Sequence, residues 1–96
     1  MMMPVLPVGI RKYAETTVFS DETVPEKLTK LHDTKPGVWG RLCVIEGALD
    51  YIISCSPPFQ QRIDAGEYGV IEPESLHRVQ IIGPVRFKIE FLKMPA

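Results

Sequence analysis

Two histidines, His32 and His77, are the only imidazoles in the 96-residue chain, so any histidine chemistry must use one or both. His32 stands in "KLHDTKPGVWG" and His77 in "VIEPESLHRV", each beside the turn-forming residues expected at a strand end. Imidazole is the commonest transition-metal ligand in proteins, so a fold that joined these two would make a candidate metal pair. Glu72 lies five residues before His77, across the bend at Pro73. A strand–turn–strand there would let its carboxylate orient an imidazole or complete a metal site. Trp39 is the only tryptophan, with Lys35 and Arg41 nearby; an aromatic ring flanked by cations could hold an oxyanion by charge and hydrogen bonds. The candidate ligand-binding set is therefore Trp39, Arg41, Glu72 and His77, and the candidate metal set His32 and His77 with Glu72 as a third ligand. Each residue also has a plainer reading: structural hydrogen-bonded histidines, a solvated carboxylate at a strand end, and a packed tryptophan.

These residues must be positioned by a small scaffold. The length fits one domain, residues 1–96, with a modest core that dimerisation would enlarge, so a homodimer is expected. Hydrophobic residues make up 45% of the chain, enough to exclude disorder throughout. The net charge of -1 and the scattered lysines and arginines argue against a nucleic-acid surface. No apolar run approaches the ~18 residues of a membrane helix. The opening "MMMPVLPVGIRKY" lacks the charged start of a secretory signal. Residues 1–12 read as a mobile arm or an edge strand, and the protein as cytoplasmic, with neither membrane nor nucleic acid as partner. Cys43 and Cys55 lie in strand-like apolar runs and read as buried free thiols. No G-x-S-x-G elbow, P-loop or G-x-G-x-x-G turn is present, so hydrolase, NTPase and nucleotide-cofactor chemistry have no support.

Prolines and glycines recur too often for long helices, which predicts an all-β fold, a sandwich or small barrel. "VRFKIEF" alternates, with Val85, Phe87, Ile89 and Phe91 on one face and Arg86, Lys88 and Glu90 on the other. "HRVQII" precedes it, and Gly83-Pro84 is the expected turn between them. "WGRLCVIEGALDYIISC" reads as two strands joined at Glu46-Gly47, with Leu42, Val44, Leu49, Tyr51 and Ile53 lining a core. "FQQRI" and "YGVIE" are shorter strands, and a further one is expected over "KLTKLHD". A single helical turn is the most that Val24–Lys27 supports.

Two segments carry a likeness. "HDTKPGVWGRLCVIEGALDY" (His32–Tyr51) and "VIEPESLHRVQ" (Val70–Gln80) resemble the small cupin-like domain found at the N-terminus of the tellurite-resistance methyltransferases and as stand-alone proteins of that family. The likeness runs from about Phe19 to Leu92. It implies a cupin-type double-stranded β-helix, a jelly-roll barrel. Against the wider cupin pattern, Gly66, Pro73 and His77 match the second motif. The first motif departs: Asp33, Lys35 and Gly40 stand where two histidines and a glutamate belong, and His32 is one position off. The usual three-histidine, one-glutamate metal set is thus reduced to two histidines, which speaks against dioxygenase-type iron chemistry. What survives is a divalent transition-metal site (zinc, nickel or iron) on His32 and His77, completed by Glu72, Asp33 or water. The methyltransferase domain itself has no counterpart in this pattern, so methyl transfer is not expected of these residues alone. Three functions follow: a module binding a small molecule or anion in tellurite or stress response, a small metalloenzyme, or a dimerisation domain with a vestigial pocket.

Overall fold

The computed structural model describes residues 2–96, and Met1, the first residue of the expected arm, lies outside them. Six strands and one 3-10 turn account for the regular structure. They are β1 (Arg11–Glu15), β2 (Phe19–Ser20), the turn Glu26–Thr29, β3 (Trp39–Ile53), β4 (Phe59–Asp64), β5 (Tyr68–Ile71) and β6 (His77–Lys93). All pairings are antiparallel, and the all-β expectation holds.

The spine is β3 against β6. Leu42 pairs with Ile89, Val44 with Phe87, Tyr51 with Val79 and Ile53 with His77. One flank of β3 carries β5 along its first half and β4 along its second; β6 carries β1 and β2. The alternating apolar residues of "VRFKIEF" do what their period demands: Val85, Phe87 and Ile89 are buried in one core with Leu42, Val44, Leu49, Tyr51 and Ile53.

Two expected turns are absent. β3 runs unbroken through Glu46-Gly47, and β6 through Gly83-Pro84. The turn residues serve a bulge instead. Val85 pairs with Gly47 and Ile81 with Leu49, so Ile82, Gly83 and Pro84 oppose the single residue Ala48. A bulge tolerates proline because its N–H is not required by the ladder. Gly47 has φ +72°, and a Cβ there would sit 2.1 Å from the Pro84 carbonyl oxygen, so this position accepts only glycine.

The bulge bends the spine and the sheet curls towards a small barrel. Tyr51, on the second half of β3, reaches β5, which pairs with the first half. Its hydroxyl donates to the Val70 carbonyl at 2.8 Å, and a Cβ on Gly69 would lie 2.9 Å from its ring.

The strand expected over "KLTKLHD" is a correction: it is the 3-10 turn Glu26–Thr29, and beyond it only His32 bridges a strand neighbour, His77. Leu28 and Leu31 are three apart, a helical spacing, and Pro25 presets the entry with φ -60°. The single turn expected at Val24–Lys27 forms two residues later. Of the arm, β1 is an edge strand on β6; residues 2–10 form no strand, yet Met3 Sδ accepts a hydrogen bond from the Val70 N–H. Cys43 and Cys55, expected to be buried, are each only half-buried.

Candidate functional site

The "EPES" bend and the segment after the 3-10 turn are tied together by backbone. The His32 N–H donates to the His77 carbonyl at 3.0 Å, and the His77 N–H to the His32 carbonyl at 2.9 Å. Thr34 adds a second clamp: its hydroxyl donates to the Glu72 carbonyl at 3.0 Å and accepts from the Glu74 N–H at 3.1 Å. Glu74 sits at φ +60°, in the left-handed region a tight turn needs.

This reciprocal bridge brings the two imidazoles into tilted contact, with centroids 4.2 Å apart and planes at 58°. Tyr51 meets His77 edge-on at 6.1 Å. His77 is only 3% exposed. Its Nδ1 lies 2.8 Å from the Ser75 carbonyl, and His32 Nδ1 lies 2.9 Å from the Lys30 carbonyl. A carbonyl only accepts, so each Nδ1 carries the proton and each neutral ring keeps its lone pair on Nε2. Neither Nε2 has a hydrogen-bond partner among the described residues. Burial pushes the His77 pKa below the ordinary histidine value; the Ser75 hydrogen bond and Asp33 oppose this, and His32 adds to it.

Both rings line a pocket of about 530 Å³, walled mostly by apolar side chains including Phe19, Leu28, Ile71, Ile89 and Phe91, and bordered by Lys27, Asp33 and Lys35. The expected pocket set is only partly assembled. Trp39, Arg41 and Glu72 are not among its lining residues. Trp39 and Arg41 alternate with Gly40 and Leu42, which face the core, and so point to the opposite face of β3. There Arg41 Nε donates to Glu90 at 2.7 Å, and its guanidinium lies 5.5 Å from the Tyr68 ring centre. Lys12 and Lys88 also pair with Glu90, and both pair with Glu15. Burial resists the Glu90 charge, but hydrogen bonds from Lys12 and Arg41 outweigh it and hold the carboxyl down to about 2. Beside it, burial and then Glu90 push the Cys43 thiol up, so that sulfur is a poor nucleophile.

For a metal, the donor chemistry at His32 and His77 suits two ligands: each Nδ1–H on a carbonyl is the arrangement that orients a metal-binding imidazole. No third protein ligand joins them. Among the described residues no cluster of three or more His, Cys, Asp or Glu could hold an ion, so Glu72 as completing ligand is not assembled. Sequence reasoning found both histidines but missed Lys27, Leu28 and Phe19, which reach the pocket from the 3-10 turn and the two-residue strand β2. No motif marks them. No helix among the described residues is long and apolar enough to cross a membrane.

Comparison with known proteins adds a family match. The profile of a family described as "TehB-like domain" matches residues 14–89. The uncharacterized protein YeaR of Escherichia coli K12 is 30% identical over 89 residues, covering 83% of this chain and 75% of YeaR. The probable S-adenosyl-L-methionine-dependent methyltransferase TehB of Haemophilus influenzae is 27% identical over 74 residues, covering 73% of this chain but 26% of TehB. Among solved structures, a crystal structure of an E. coli K12 protein matches at TM-score 0.87 and 27% identity over 98% of this chain and all of that one. The crystal structure of H. influenzae TehB matches in fold at TM-score 0.81 and 21% identity, over 91% of this chain and 32% of TehB.

Proposed function

The chain belongs to the TehB-like domain family, and on that premise we propose that it is a cytoplasmic small-molecule-binding domain of the cupin-like kind, serving tellurite resistance or a related stress response without methyl transfer of its own. The observation that carries this reading is the pair of adjacent, tilted imidazoles, with Nε2 unpartnered, in a mostly apolar pocket of about 530 Å³. That volume and lining are the size and character of a small-ligand site, where a few polar atoms set orientation and apolar walls supply affinity. The 26% share of TehB that this chain covers is the reason methyl transfer is assigned elsewhere.

The test is a fragment screen with EDTA present, read by melting temperature and by the ring signals of His32 and His77. A ligand of the pocket raises the melting temperature in proportion to its occupancy and shifts both rings; its effect disappears in His77→Phe. A screen in which no compound moves either ring overturns the proposal. Incubation with S-adenosylmethionine and tellurite is expected to give no methylated product.

A metal-binding reading is favoured by one observation, the carbonyl-oriented Nδ1–H on both rings. It predicts about one Zn²⁺ or Ni²⁺ per chain in elemental analysis, lost in both His32→Ala and His77→Ala. With two protein ligands, water or the bound molecule must complete the coordination. For assembly we propose a homodimer, to be read from the molar mass in light scattering; the exposed Ile45 and Tyr68 offer it apolar surface.

A further inference from the structure

The polar groups of the pocket are sorted by depth. His77 is buried at its inner end, while Lys27 and Lys35 are exposed at its rim with Asp33, two positive charges against one negative. Neither lysine joins an ion pair among the described residues. Two pocket hydroxyls are already committed, Thr34 to the turn and Thr16 to the Thr17 carbonyl and the Ile89 N–H; the third belongs to Tyr13, whose ring is half exposed beneath the Lys93 ammonium. What remains for a ligand is two lone pairs inside, two ammonium groups and the exposed Tyr13 hydroxyl outside, and apolar walls between.

This sorting keeps the most obvious occupant from the inner end. A neutral imidazole protonated on Nδ1 offers Nε2 as an acceptor only, so it repels an oxyanion rather than holding it. A bare inorganic oxyanion such as tellurite, held by the two lysines, would leave most of the cavity unfilled, and moved inward would face Ile71, Ile89 and Phe91 without the donors that offset its desolvation.

We propose that the ligand is a small organic hydroxy acid: an apolar, ring-sized body with a hydroxyl donating to the Nε2 of His77 or His32 and a carboxylate reaching Lys27 and Lys35. This rests on the small-molecule reading above and narrows it to one chemical class.

The probes are 4-hydroxybenzoate and 3-(4-hydroxyphenyl)propanoate, against 3-phenylpropanoate, which lacks the hydroxyl, 4-ethylphenol, which lacks the acid, and tellurite. Titrations with EDTA present follow heat and the histidine ring signals. The hydroxy acids are expected to bind most tightly. Removal of the hydroxyl weakens binding about fivefold or more, the worth of one hydrogen bond to a buried acceptor. The Lys27→Gln/Lys35→Gln double variant, altered only at exposed positions, weakens the acids about fivefold and leaves 4-ethylphenol unchanged. Equal binding of 3-phenylpropanoate, indifference to the lysine variant, or tighter binding of tellurite overturns the hydroxy-acid class. If neutral fragments bind and shift the rings regardless of an acid group, the class fails and the pocket reading stands. If nothing shifts the rings, both fail.

Discussion

The two faces of the β3–β6 spine both gather charged and polar groups, and they end in opposite states. On the outer face Glu90 is surrounded by Lys12, Arg41 and Lys88, so its charge is matched within the fold. On the inner face the rings of His32 and His77 are each hydrogen-bonded once and each keep a lone pair unmatched. A closed network stabilises the sheet and has little left for a ligand; an open pair contributes less to stability and can bind. Arg41, which in sequence looked like part of a binding site, belongs to the first kind.

The largest expected effect breaks the closed side. Glu90→Ala leaves Arg41 and Lys12 without their shared acceptor and is expected to cost about 2 kcal/mol in urea unfolding, while binding in the pocket stays at the wild-type level. A loss of binding of the same size as the loss of stability would show that the faces are not independent. Next, Tyr51→Phe strips the donor from the Val70 carbonyl and should cost about 1 kcal/mol.

The two faces also separate by pH. Glu90 titrates near 2 in the fold against about 4.3 when unfolded. Its contribution is complete above the unfolded value and is lost as pH falls from there towards 2. His77 is held below the usual histidine value, so the unfolded chain takes up its proton first. Its contribution is present above about pH 6.5 and falls as the solution is acidified through the folded pKa. Urea midpoints across pH should therefore show two declines, the higher one lost in His77→Asn and the lower in Glu90→Gln. His77→Asn keeps a donor where Nδ1–H meets the Ser75 carbonyl, so at pH 8 it should unfold close to wild type.

The smallest effect on stability, about 1 kcal/mol or less, is expected of His32→Ala, although that change should weaken ligand binding about tenfold. Long-range ¹H–¹⁵N spectra at pH 7.5 sharpen the contrast. Both rings should carry a proton on Nδ1, and His77, held below the usual histidine value, should lack one on Nε2. An Nε2–H signal on His77 would remove the open lone pair on which the inner face depends.

Strand identity was largely legible in the sequence because side chains alternate with a period of two wherever one face is wet. "VRFKIEF" declared its buried face from Val85 to Ile89, but Glu90, expected on the wet face, is buried among its cations and Phe91 is only half-buried. Where the period broke, reading failed for a physical reason. Gly47 and Gly83-Pro84 are turn residues by composition, and only the pairing of both strands reveals that they absorb one shared bulge. Leu28 and Leu31 were assigned to a strand although their spacing of three suits a turn.

Local pattern was enough for the all-β class, for the core positions on β3 and β6, and for choosing His32 and His77 as the candidates, because these depend on the side-chain period and on the scarcity of imidazole. Tertiary structure alone decided which neighbours they keep. Trp39 and Arg41 lie close to the site along the chain, yet alternation in a strand sends them through the sheet to the other face. Lys27 and Phe19, remote in pattern, reach the pocket because the 3-10 turn and β2 pack across its opening. Proximity along a strand does not specify a shared face, and the curl of the sheet, set by a bulge between distant residues, decides which side becomes a cavity.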